Sequence, residues 1–95
     1  MDYLKEYGLS DEDIKEVHES LSYEDWVQIS SMKSVVREDI EYFLSLGITN
    51  IKDILMGAPY MFYHPAARIK RMVEECQNPD IVELLKEDPI NFDLL

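Results

Sequence analysis

The chain has 95 residues, 46% of them hydrophobic and 11% aromatic, and sets 9 Lys and Arg against 20 Asp and Glu for a formal charge of −11 at pH 7. That length allows one small domain, and the apolar content is too high for a disordered acidic tail. The charge excludes bulk electrostatic attraction to nucleic acid or to an anionic membrane unless the few cations share one face.

Only 3 Gly and 4 Pro punctuate the chain, and apolar residues recur at helical spacing, which predicts an all-α fold of about six short helices without strands. Between Ser10 and Leu21, the residues Ile14, Val17, His18 and Leu21 fall at i, i+3, i+4 and i+7, and Ser10 with Asp13 has the form of a capping box. Ser22 is the expected N-cap of a second helix, with Glu24 and Asp25 in its first turn and Tyr23, Trp26, Val27 and Ile29 as bulk for burial. From Ser34 to Leu46 the stripe is Val36, Ile40, Phe43 and Leu44, and Gly47 stands where a left-handed residue ends a helix. Thr49 or Asn50 is expected to cap a short helix through Met56, closed by Gly57 and Pro59. A turn follows, and then His64 and Pro65 read as N-cap and first residue of a helix to Cys76 with Ala66, Ile69, Met72, Val73 and Cys76 on its buried face. Asn78 and Pro79 repeat that start signal for a helix carrying Ile81, Leu84 and Leu85, which Pro89 breaks. The expected core is Ile14, Val17, Trp26, Ile40, Phe43, Leu44, Ile51, Ile54, Leu55, Ile69, Val73, Leu84 and Leu85.

Shifting the chain by 30 positions aligns Phe43 with Val73, Leu46 with Cys76, Ile51 with Ile81, Ile54 with Leu84, Leu55 with Leu85, Pro59 with Pro89 and Phe62 with Phe92 without a gap. The whole chain, 1–95, then reads as a single acidic helical domain holding repeat units 41–70 and 71–95, each too small to bury its apolar face alone. A compact helical-repeat-like or orthogonal bundle follows. LKEYGLS overlies FLSLGIT through Gly8 and Gly47 as a weaker third copy that needs two inserted residues.

The stretch FLSLGITNIKDILMGAPYMFYHPAARIKRMVEE, with Leu-Gly, a short Ile/Leu helix, Pro, an aromatic and a basic-apolar helix, resembles a repeat of the mitochondrial transcription termination factor family. The resemblance covers residues 43–75 and, partially, 73–95. It implies a helical solenoid that binds nucleic acid through basic residues on one face, here Arg68, Lys70 and Arg71. The acidic balance of the chain departs from the electropositive surface so implied, and a fold can persist where its function does not.

Charge is uneven: residues 1–30 carry nine acids and two bases, and Glu12, Glu16 and Glu19 stack at i, i+4 and i+7 on the first helix. Each neighbouring like-charge pair costs a few tenths of a kcal/mol, which Lys15 is expected to offset through Asp11 and Glu19. The two readings are a solvated face and an acidic patch, extended by Glu24 and Asp25, that docks on a basic surface and imitates phosphate spacing. Lys70 with Glu74 and Arg71 with Glu75 are expected to neutralise each other as i, i+4 pairs. His18 reads as a core histidine rather than a base, and His64 as a weak cap. Phe62 belongs in the core, whereas Tyr60 and Tyr63 are the surface candidates of the APYMFYHP turn.

One cysteine, Cys76, permits no internal disulfide, and with only His18 and His64 there is no zinc-ligand spacing, no calcium-loop register and no glycine-rich phosphate loop. A reducing, cytoplasmic setting is expected, since MDYLKEYGLSDED has no basic region followed by an apolar run and no stretch of about 18 apolar residues occurs. The sequence therefore points to a non-enzymatic protein without cofactor or metal. Its expected task is to bind and inhibit a basic, nucleic-acid-handling protein, in the manner of small inhibitors encoded by phages or mobile elements. The alternatives are a nucleic-acid-binding helical repeat and a structural or oligomeric helical module.

Overall fold

The computed structural model describes residues 1–95. It is all-α, with six α-helices: α1 (Asp11–Ser20), α2 (Tyr23–Ser31), α3 (Lys33–Ser45), α4 (Ile51–Gly57), α5 (Ala66–Glu75) and α6 (Ile81–Glu87). Three segments of 3₁₀ helix complete it, at Asp2–Tyr7, Pro59–Tyr63 and Pro89–Leu94. No helix is long and apolar enough to cross a membrane.

Local chemistry sets the ends. The Ser10 hydroxyl accepts from the Asp13 amide while the Asp13 carboxylate accepts from the Ser10 amide, the capping box read from the sequence. Ser22 caps α2 through the Asp25 amide. Gly47 ends α3 with φ at +81°, a conformation in which a Cβ is strained. Two expected cap bonds do not form: Asn50 stands at the N-cap position of α4 but its side chain makes no cap hydrogen bond, and its Oδ1 is buried without a partner. His64 ends the Pro59–Tyr63 segment instead of starting α5, whose N-cap is Pro65. A proline at N1 opens each of the two later 3₁₀ segments, and the Asp88 carboxylate caps the last through the Ile90 amide.

All nine elements contribute to one cluster of 19 buried apolar residues. At its centre Phe43 of α3 meets Phe62 and Phe92 edge to face, with ring centroids 6.0 and 5.3 Å away and planes at 86° and 68°. The order of elements around these contacts recurs: α4 leads into Pro59–Tyr63, and 30 residues later α6 leads into Pro89–Leu94. At that offset Ile51 and Ile81, Leu55 and Leu85, and Phe62 and Phe92 are identical and buried.

The expected core holds at Val17, Ile40, Phe43, Ile51, Ile54, Leu55, Ile69 and Leu85. Leu44, by contrast, is exposed: it lies past the edge of the arc that α3 turns toward its neighbours, which Val36, Asp39, Ile40 and Phe43 occupy. Ile14, Trp26, Val73 and Leu84 are half-buried, because α1, α2, α5 and α6 lie on the outside of a small molecule and cover the core with one narrow stripe each. Tyr3, Leu4 and Leu9, which no predicted element included, are buried as well. Tyr3 donates its hydroxyl proton to the Ile29 carbonyl and so ties the N-terminal segment to α2.

Truncating Phe43 removes the shared partner of two rings, so Phe43→Ala should lower unfolding free energy by about 3 to 5 kcal/mol in urea denaturation. Leu44→Ala, one residue on but solvent-facing, should stay within about 0.5 kcal/mol of the parent chain.

Candidate functional site

The acidic residues singled out in the sequence lie on α1 and α2, which follow one another directly through Leu21 and Ser22. Glu12, Glu16 and Glu19 lie on the α1 face away from Val17 and are all exposed. Glu24 is exposed and Asp25 half-buried in the first turn of α2. Tyr63 reaches this surface from the 3₁₀ segment: its hydroxyl donates to Asp25 Oδ1 at 2.8 Å, and that bond raises the phenol pKa. Glu24 adds its negative field to the same hydroxyl, so α2 and the Tyr63 turn form one continuous patch. Tyr60 is also exposed but turns elsewhere, donating to the carboxylate of Asp93, and burial followed by that hydrogen bond pushes its pKa up to about 12.

The charges within the patch are not equivalent. Lys52 of α4 bridges Asp13 at 3.0 Å and Glu16 at 2.8 Å, and its pKa rises to about 12 through the hydrogen bonds to Glu16 and Asp13. Asp13 is held below the usual carboxylate range by the Ser10 amide and then by Lys52. Glu16 therefore serves as a tie between α1 and α4 in addition to facing solvent. The offset expected from Lys15 does not form; Lys5, from the N-terminal segment, pairs with Asp11 at 2.7 Å instead. Glu12, Glu19 and Glu24 form no ion pair, and they are the free charges of the face.

Arg68, Lys70 and Arg71 are exposed on α5. Neither the Lys70–Glu74 nor the Arg71–Glu75 pair closes into a salt bridge, so the expected local neutralisation is absent. Long side chains on an exposed helix face gain too little from pairing in water to be held in one geometry. A groove of about 310 Å³ lies between the end of α5 and the chain terminus, lined by Met72, Glu75, Cys76, Gln77, Leu94 and Leu95. No three His, Cys, Asp or Glu residues are grouped to hold a metal ion.

Two features escaped the sequence reading. His18 is not in the core: it is exposed and stacked on the Trp26 ring at 5.1 Å and 17°, because α1 and α2 turn their facing edges together at the Leu21–Ser22 joint. Asp39 is fully buried in α3, with neither carboxylate oxygen hydrogen-bonded. Its place three residues after Val36 and four before Phe43, inside the apolar stripe, is the signal that could have found it. No protein-family model, curated protein or solved structure matches the chain.

Burial, and then the neighbouring Glu38, raises the Asp39 pKa to about 8. An unfolded Asp titrates near 3.9, so from roughly there up to pH 8 the folded chain holds a proton that the unfolded chain has lost. This contribution to stability is complete below the lower value and is lost as the pH rises through the upper one. The unfolding free energy measured in urea should accordingly fall between about pH 4 and pH 8, by at most about 1.4 kcal/mol for each pH unit, and Asp39→Asn should flatten that dependence.

Proposed function

We propose that the chain is a non-enzymatic binding protein whose α1–α2 face captures a basic, nucleic-acid-handling protein and blocks it. The observation that carries this reading is the run of Glu12, Glu16, Glu19, Glu24 and Asp25 along the two successive helices α1 and α2, with Glu12, Glu19 and Glu24 exposed and free of any cation of the chain. Such a face costs repulsion energy when alone and recovers it on meeting positive charge. A protein that binds nucleic acid presents that charge at phosphate-like spacing. The reading places the protein in the cytoplasm, where its lone thiol, Cys76, stays reduced. It also treats residues 41–70 and 71–95 as two units of one repeat that hold the docking face rigid.

The test is affinity capture from the cells that make the protein, with the parent chain and the Glu12→Lys, Glu19→Lys double variant as parallel baits. Both glutamates lie off the Val17 side of α1 and hold no partner, so circular dichroism should be unchanged. Capture should weaken roughly tenfold if each charge contributes about 0.5 to 1 kcal/mol. Equal recovery of one partner by both baits would make α1 a solvated face and return the Tyr60 to Tyr63 turn as the docking candidate.

A second reading rests on Arg68, Lys70 and Arg71, which project from α5 without partners. The resemblance of residues 43–75 to a termination-factor repeat points the same way. Three cations on a chain of charge −11 are nevertheless outweighed, so fluorescence anisotropy at about 0.15 M salt should show no micromolar binding to DNA or RNA. Micromolar binding abolished by Arg68→Glu would invert the order of the two readings.

A further inference from the structure

Next to Glu24 in the chain stands an aromatic side chain with no place in the core. Tyr23 is 77% exposed, although burying a ring of this size is among the larger stabilising contributions open to so small a fold. Its ring stands 6.0 Å from that of Trp26, at 34°, and the Trp26 ring in turn stacks on His18 at 5.1 Å. The rings are thus held in place before anything binds. Val27, one turn after Tyr23, is exposed as well and extends the apolar strip along α2.

The surroundings are negative. Glu24 follows Tyr23 directly, Glu19 follows His18, and neither carboxylate is paired. Unpaired carboxylates at neighbouring chain positions add a negative field that draws cations toward the exposed ring and repels anionic ligands. The chain's own cations leave these rings open: its one cation–π contact is elsewhere, with the Arg37 guanidinium 5.4 Å from the Tyr3 ring centre. That internal pair shows the same chemistry satisfied within the fold.

We propose that Tyr23, Trp26, Glu19 and Glu24 form a seat for an arginine side chain of a basic protein segment. This rests on the reading of α1–α2 as the face that captures a basic protein, and specifies what that face grips. The guanidinium is planar and weakly hydrated, so it lies flat on the Tyr23 ring while its edge donates to a carboxylate. Its methylene stem runs along Val27. The more strongly hydrated ammonium of lysine matches the charge but not the planar stack.

The test compares nona-arginine with nona-lysine, peptides of equal charge, in a titration read by intrinsic fluorescence; Trp26 is the only tryptophan of the chain. Nona-arginine should shift the Trp26 emission and bind at least about threefold more tightly than nona-lysine at about 0.15 M salt. Tyr23→Ala should lower nona-arginine affinity about three- to fivefold, to the nona-lysine level, and Tyr23→Phe should keep it. If Tyr23→Ala does not fold, the two peptides on the parent chain still decide. Equal affinity for both peptides overturns the arginine seat while leaving the acidic face intact as a docking surface. Failure of both peptides to bind, even at low salt, overturns the seat and the acidic-face reading together.

Discussion

The edge-to-face contacts of Phe43 with Phe62 and Phe92 are the constraint on which the fold depends. No helix here exceeds the 13 residues of α3, and isolated helices shorter than about 12 to 15 residues are marginal in water. The helices therefore persist because they are packed, and the packing converges on one ring. Two prolines make this geometry accessible: Pro59 and Pro89 each end the regular helix before them and open a 3₁₀ turn that carries its phenylalanine inward three residues later. A core secured in this way leaves the outer faces of α1, α2 and α5 free of structural duty, and there the unusual charges are found.

Negative charge is managed differently in each place. Along α1 it is distributed: Ser10 and the helix N-terminus hold Asp13, Lys5 holds Asp11, and Lys52 joins Asp13 and Glu16 to α4. On α2 the Tyr63 phenol holds Asp25. These contacts fix the backbone beneath Glu12, Glu19 and Glu24, which remain unneutralised, so the free charges stand on a rigid support. Asp39 is the opposite case. Desolvation with no donor nearby keeps its proton on, so it acts as a polar filler in an apolar stripe and weakens the fold wherever that proton is removed.

Much of this was legible in the residues, and the misses share a physical cause. Signals that act over three or four positions, such as Ser10 with Asp13, Ser22, Gly47 and Pro89, lie where the sequence put them, because a cap is made by the chain next to it. Helix periodicity located Ile40, Phe43, Ile54 and Ile69 in the core for the same reason. Failures began where a second element decides. Leu44 is exposed and Asp39 buried according to which arc of α3 its neighbours cover. His18 leaves the core because Trp26 offers a ring outside it. Glu16 acquires Lys52 from 36 residues away, whereas the nearer i, i+4 partners on α5 stay apart. The carboxylates of α1 and α2 were read from the sequence as one surface; that the Tyr63 hydroxyl bonds Asp25 and that Tyr23 stands open on α2 is decided by the fold.

An acidic docking face acts mainly before contact, through the field that gathers and orients an oppositely charged partner. The most direct measurement is the association rate constant of the captured partner, followed by surface plasmon resonance across a series of salt concentrations. Association should slow steeply as salt rises while dissociation changes little, and the Glu12→Lys, Glu19→Lys variant should show a flatter dependence. An association rate indifferent to salt, or equal salt dependence in parent and variant, would contradict a functional role for the acidic face of α1 and α2.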